Sequence, residues 1–234
     1  MRSARIVGDG RAGRALAGAL GAVGWTVDGP LGRGADLSYA TRDVDVLVIA
    51  TPDDTISAVA ASIAPGDAVV LHLSGALGLD VLTTHPRRAA LHPLAALPDA
   101  ETGRRRLLDG CTFAVAGDPV AAAIVADLGG RAVEVPDDRR ALYHATAVVA
   151  ANHLVALAGQ VERLAARVGV PVDAYWDLMA GALDNVRHLG PAAALTGPAA
   201  RGDRATIEHH LAALPAEERP AYEAMSAEAV RLVT

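Results

Sequence analysis

One stretch constrains the fold of this chain more than any other: a β-branched run, Arg5-Ile6-Val7, enters Gly8-Asp9-Gly10-Arg11-Ala12-Gly13 and continues into an alanine-rich segment. The spacing is G-x-G-x-x-G, and its value lies in the strand before it and the helix after it. There each glycine has its own physical task. Gly8 permits a tight turn, Gly10 lets backbone approach a pyrophosphate, and Gly13 allows the helix to pack closely on the strand. The helix start adds unpaired N–H groups and the positive end of a dipole, so Arg11 and Ala12 join the glycines in the expected cofactor loop. Glycines this dense weaken a fold unless close approach requires them.

Seven short runs rich in β-branched residues occupy the first half of the chain: ARIVG, WTVDG, DVLVIATP, AVVLHLSG, AALHP, CTFAVAG and RAVEVP. The segments 11–24, 53–64 and 118–129 between them read as helices. Near-continuous apolar strands alternating with helices imply βαβ units and a parallel sheet covered on both faces. After Pro136 the character changes. Asp137 is positioned to cap a helix of about 30 residues that ends at Gly169-Val170-Pro171, and only helices follow. The expected fold class is therefore α/β: an N-terminal Rossmann-type doubly wound parallel sheet over residues 1–135, then an all-α domain over 136–234. No Ser/Gly-rich linker separates the two.

Composition excludes several functions. A net charge of −6 offers no basic face for nucleic acid. A lone cysteine, Cys111, leaves no intrachain disulfide, and a start that runs directly into a strand has no leader pattern, so a cytoplasmic location is expected. No uninterrupted apolar run approaches the roughly 20 residues of a membrane span, and no membrane partner or metal centre is expected. All 21 basic residues are arginine. Chemistry that needs an amine side chain is ruled out.

In a doubly wound sheet ligands gather beyond the carboxyl ends of the strands. Asp28, twenty residues past Gly8, is placed to take the ribose 2′-hydroxyl of NAD, whereas Arg33 suits a 2′-phosphate; the balance favours NADP over NAD. Thr51 and Pro52 end one strand along the cofactor passage, with Asp53 as a helix cap. Ser74 and Gly75 end the next, as a nicotinamide or substrate contact or simply as a turn. His92 closes a further strand before a proline, as an acid or as a structural histidine. Tyr143, His144, Asn152 and His153 share one apolar helix, in which His144 and Asn152 are about 12 Å apart along the axis. Thr196, Gly197 and Arg201 form a turn able to hold a substrate carboxylate, with Asp203 capping the next helix.

The ordered motifs VGDGRAG, ATPDD, HLSG, LHP, LYHATAVVAANHLVAL and LTGPAARGD resemble, along essentially the whole chain, the Rossmann-like proteins with a C-terminal domain of unknown function 2520. These are similar to 6-phosphogluconate dehydrogenase, pyrroline-5-carboxylate reductase and ketopantoate reductase. The resemblance implies an NADP-binding N-terminal domain, a helical domain forming a homodimer, and reduction of a small oxo acid such as ketopantoate. It implies Gly8, Gly10 and Gly13 as the pyrophosphate loop, Arg33 at the 2′-phosphate, and Ser74 and Gly75 near the nicotinamide. His144, Asn152, Thr196 and Arg201 fall on its motif positions. The related β-hydroxyacid dehydrogenases and the usual ketopantoate reductase use a lysine as proton donor, and none exists here. His144 is the first expected substitute, with His92 and Tyr143 as alternatives. Asn152 would orient the carbonyl, while Thr196 and Arg201 would hold a carboxylate. An imine reductase and a nucleotide-binding regulatory or scaffold protein are the competing expectations.

Overall fold

The structure, a computed structural model, describes residues 2–233. Two compact units divide at Asn152/His153 rather than at 135. Residues 136–152 cluster with the sheet because their first turns are tied to it, as described below.

The first unit is built on one seven-stranded sheet in the order β2-β1-β3-β4-β5-β6-β7. Its strands are β1 (Ser3–Val7), β2 (Thr26–Leu31), β3 (Val46–Ile49), β4 (Val69–His72), β5 (Arg88–Pro93), β6 (Thr112–Gly117) and β7 (Arg131–Glu134). The helices between them are α1 (Arg11–Ala22), α2 (Ile56–Ser62), α3 (Ala100–Leu108) and α4 (Val120–Asp127). β3 and β4 are buried at every residue, as a strand covered on both faces must be. One core contains Ile6, Leu16, Leu20, Val48, Leu71, Leu91, Phe113 and Ile124; a second, containing Leu47, Ile49, Ile56, Ile63 and Leu82, is formed around α2.

All seven expected strands are present, but one runs the other way: β6 is antiparallel to β5, with Pro93 opposite Phe113 and Ala89 opposite Gly117. The sheet is mostly parallel. The cause is the path of α3, which returns the chain to the end of the sheet it had just left, where the Leu94 N–H donates to the Thr112 carbonyl. An antiparallel neighbour needs no crossover.

From Asp137 the chain is helical to Val168: a 3-10 turn at Asp137–Arg139, α5 (Arg140–Val148), a π-helical turn at Val149–His153, and α6 (Leu154–Val168). Gly169, with φ 72°, ends the run in the left-handed conformation. Contrary to expectation, Asp137–Val168 is long and apolar enough, by length and composition alone, to cross a membrane. Alanine is the reason: it keeps the mean hydropathy high without a continuous run of large apolar side chains. In the fold the start of this stretch is anchored to the sheet, with Arg140 wholly buried.

The second unit continues with α7 (Val172–Leu189), α8 (Pro191–Ala194), α9 (Gly197–Ala200), α10 (Arg204–Ala213) and α11 (Arg219–Arg231). Inside it the Arg163 guanidinium grips Glu218 through Nε at 2.6 Å and Nη2 at 3.0 Å, and Gln160 donates to the Glu218 carbonyl.

Candidate functional site

The glycine loop joins β1 to α1 where the strand order switches, β1 having β2 on one side and β3 on the other. Ligands of doubly wound sheets collect at such a point. Gly8 has φ 116°, and a Cβ there would lie 2.5 Å from the Ala50 carbonyl oxygen. A Cβ on Gly13 would lie 2.1 Å from the Gly8 oxygen. Both glycines are thus required by the protein's own packing. Gly10 differs: its φ of −84° is ordinary, and a Cβ would meet nothing within 4 Å. As the N-cap of α1 it also makes no side-chain capping bond. The space over Gly10 is where a ligand would approach the free N–H groups of Arg11 and Ala12. Asp9, whose charge would oppose a phosphate, is held in a two-pronged pair by Arg14 at 2.6 Å, which lowers its pKa. At the adjoining end of β3 the Thr51 hydroxyl is buried without a hydrogen bond. A bare cradle and an orphaned hydroxyl beside it fit a dinucleotide pyrophosphate.

Asp28 is engaged by the chain itself. It lies within β2, opposite Arg5 in the register, and accepts from Arg5 Nε at 2.6 Å. β2 runs on to Leu31, so the strand end falls beside Arg33, which is exposed and, among the described residues, without a hydrogen bond or ion pair. Asp53 is also not a side-chain cap. Pro52 takes the N-cap position of the 3-10 turn, and the Asp53 carboxylate accepts the Ser74 hydroxyl proton at 2.6 Å.

Ser74 is therefore committed to the fold. Its Oγ donates to Asp53 and accepts from the N–H groups of Ala76 and Leu77; its N–H donates to His72 Nδ1 at 3.2 Å. Because His72 Nδ1 accepts, Nε2 carries the proton and donates to the Gly78 carbonyl at 3.1 Å. Burial lowers the pKa of this fully enclosed imidazole and keeps it neutral. The chain after Ser74 is also fastened from the far side. Asp137 accepts the Leu79 N–H at 2.9 Å and lies 3.6 Å from Arg140 Nε, while Arg140 Nη1 reaches the Ser74 carbonyl at 3.4 Å. Asp137, expected to cap a helix, instead joins the start of that helix to the loop after β4.

Gly75 offers bare backbone between two imidazoles: a Cβ there would lie 2.7 Å from His144 Cδ2 and 2.9 Å from His92 Nε2. The rings of His92 and His144 meet edge to face at 5.8 Å, as do His92 and Tyr143 at 5.5 Å. His92 Nδ1 and the Tyr143 hydroxyl share a hydrogen bond of 2.7 Å. Burial, reinforced by the neighbouring His144 and by Arg140, pushes His92 down to about 4. It is neutral at pH 7 and cannot act there as a cationic acid. Burial also raises the Tyr143 pKa. His144 makes no hydrogen bond through its ring nitrogens among the described residues, which leaves both open to a ligand.

These three side chains line a cavity of about 440 Å³, as does Asn152. His144 and Asn152 thus share a ligand space although they stand too far apart to touch each other. The π-helical turn at Val149–His153 lies between them and inserts a residue into the helical register, a local strain often found at functional sites. In the second unit Thr196 is the exposed N-cap of α9 without a side-chain bond, Gly197 has φ 81°, and Arg201 is exposed at the C-cap. Asp203 caps α10 as expected, accepting from Thr206 N at 3.0 Å.

A strand–glycine turn–helix at the switch point of a mostly parallel sheet, followed by helices alone, defines a Rossmann-type α/β protein with a C-terminal helical region. The family described as Domain of unknown function (DUF2520) matches residues 111–229, and the chain belongs to it. The match begins inside the sheet, at β6. Comparison with curated proteins gives no match. Among solved structures the fold is similar to that of a protein from Thermotoga maritima (22% identity, 98% of each chain, TM-score 0.75). It is also similar to a proposed NADP oxidoreductase from Bacteroides fragilis (21% identity, 98% of each chain, TM-score 0.82). A reductive aminase from Aspergillus terreus, solved with NADPH and ethyl levulinate, is similar too (17% identity, 99% of this chain and 94% of that one, TM-score 0.70).

Proposed function

We propose that this chain is an NADPH-dependent reductase of a C=O or C=N bond. The observation that carries the reading is the convergence of His144, its ring nitrogens without a hydrogen bond among the described residues, with His92 and Tyr143 in the cavity wall, both imidazoles packed against the bare Gly75 backbone. Gly10, Arg11, Ala12 and Thr51 would hold the pyrophosphate, Arg33 the 2′-phosphate, and Pro52 and Gly75 would border the nicotinamide passage. Similar folds solved with or described by NADP support that cofactor. When bound, NADPH supplies the hydride that becomes the new C–H bond. The chain must then deliver one proton to the oxygen or nitrogen whose double bond is lost. His144 is the donor in this reading, Asn152 orients the reacting group, and the neutral His92–Tyr143 pair fixes the wall against which it lies.

Purified protein mixed with NADPH and an oxo acid such as ketopantoate, or with a ketone and an amine, should lose absorbance at the nicotinamide band. Absence of turnover across such a panel overturns the proposal and favours a nucleotide-binding regulatory or scaffold role. His144→Ala separates the chemistries. For a carbonyl it should cost about 10²- to 10⁴-fold in kcat; an iminium already carries positive charge and would keep most of the rate. The oxo acid reading needs Thr196, Gly197 and Arg201 to take the carboxylate. We further propose that the second unit forms a homodimer, since Leu178, Leu183, Val186 and Leu189 are all exposed on α7. Sedimentation equilibrium tests this, a monomer being the contrary result.

A further inference from the structure

The cavity beside His144 carries information about the substrate, on the premise that the protein is a reductase. Its polar lining consists of His92, Tyr143, His144, Thr146 and Asn152, and the rest of the wall is apolar and mostly small, including Leu94, Ala95, Ala147, Val148, Ala150 and Ala151. Among the described residues that line it there is no guanidinium and no carboxylate, and the chain contains no lysine. Arg140, which acts electrostatically on His92, is wholly buried and turned toward the Ser74 carbonyl and Asp137 instead of the lining.

From this juxtaposition we infer that the reacting carbon carries uncharged, apolar substituents: the substrate is a short aliphatic or alicyclic ketone or aldehyde, or the imine formed from one, and not an oxo acid. A carboxylate laid against alanine and valine would lose its hydration and gain no charge-assisted hydrogen bond in return. An alkyl group there leaves water for a surface that matches it. The volume, about 440 Å³, lies within the range of small-molecule sites and leaves room for substituents on both sides of the reacting carbon. His144 then meets the carbonyl oxygen or imine nitrogen, which is the atom that needs a proton, while Thr146 and Asn152 add neutral hydrogen-bonding groups but no charge to hold a carboxylate.

Matched pairs differing only by methyl against carboxylate test this: 2-pentanone with 2-oxopentanoate, and 2-hexanone with 2-oxohexanoate, each with and without methylamine, followed by NADPH oxidation. The ketone or its methylimine should exceed its oxo acid at least tenfold in kcat/KM, and each further buried methylene should add about fourfold. Ala151→Phe, which fills part of the apolar wall, should raise KM for the six-carbon ketone more than for the five-carbon one, with the NADPH Kd unchanged. Parity or a preference for the oxo acids overturns the inference and leaves the reductase reading standing. NADPH binding without oxidation by any member overturns the reductase reading itself. If Ala151→Phe changed the sedimentation mass but not the substrate profile, the cavity would be a protein-binding surface and the inference would fall.

Discussion

At the scale of single residues, the three glycines of the first loop look equivalent in the sequence, and the structure separates them. Gly8 and Gly13 are held by clashes with the chain's own backbone, whereas Gly10 borders open space. Gly8→Ala places a side chain at φ 116° and against the Ala50 carbonyl, so it should lower stability by about 2–4 kcal/mol in urea unfolding. Gly10→Val should leave the melting temperature nearly unchanged and weaken NADPH binding at least tenfold by titration calorimetry. Gly75 was readable as a turn or a ligand contact, and its second reason for being glycine was not legible: the two rings that forbid a Cβ come from His92 and His144. Gly75→Ala must displace one ring or both. Its expected result is a large loss of kcat with NADPH affinity retained, and a full-rate variant would remove His144 from the proton-donor role.

At the scale of elements, local pattern and global path account for different features. Strand β1, the glycine turn and α1 are adjacent in sequence, and their period and punctuation are sufficient to define them. The helix from Asp137 to Val168 was equally plain, and so was its stop at Gly169, whose φ of 72° favours glycine. Gly169→Ala should cost about 1 kcal/mol, measured as a shift in the unfolding midpoint at unchanged m-value. The direction of β6 was not legible, because an apolar run reads the same whether its neighbour is parallel or antiparallel. Nor was the π-helical turn at Val149–His153, since the sequence there continues the helical composition on either side.

At the scale of the whole molecule, buried histidines and paired carboxylates make stability depend on pH with the same sign. His92 is pushed from 6.5 to about 4 by burial, so between those values the unfolded chain binds a proton that the folded chain refuses. The stability it contributes is fully present above about 6.5 and declines as the pH falls toward 4, by up to about 3 kcal/mol. His72, also lowered by burial, acts in the same direction. Glu218, lowered by Arg163, adds a loss at still lower pH, as a carboxylate with a depressed folded pKa must. Chemical unfolding from pH 7 to pH 4.5 should show a steady fall, and His92→Gln should flatten it. A pH-independent unfolding free energy across that window would contradict the burial of His92.

The sequence by itself determined the cofactor loop, the seven strands and the helical second half, because each is written in spacing and periodicity over neighbouring residues. Tertiary structure alone decided what the site is made of. Ser74 meets Asp53, Tyr143 meets His92, and Leu79 meets Asp137 across 21, 51 and 58 residues of chain. Such pairings depend on where the backbone travels between the partners, and no local pattern records that path. The glycine spacing indicated a place for a nucleotide; the folded chain placed His144 and Gly75 beside an alanine-lined cavity.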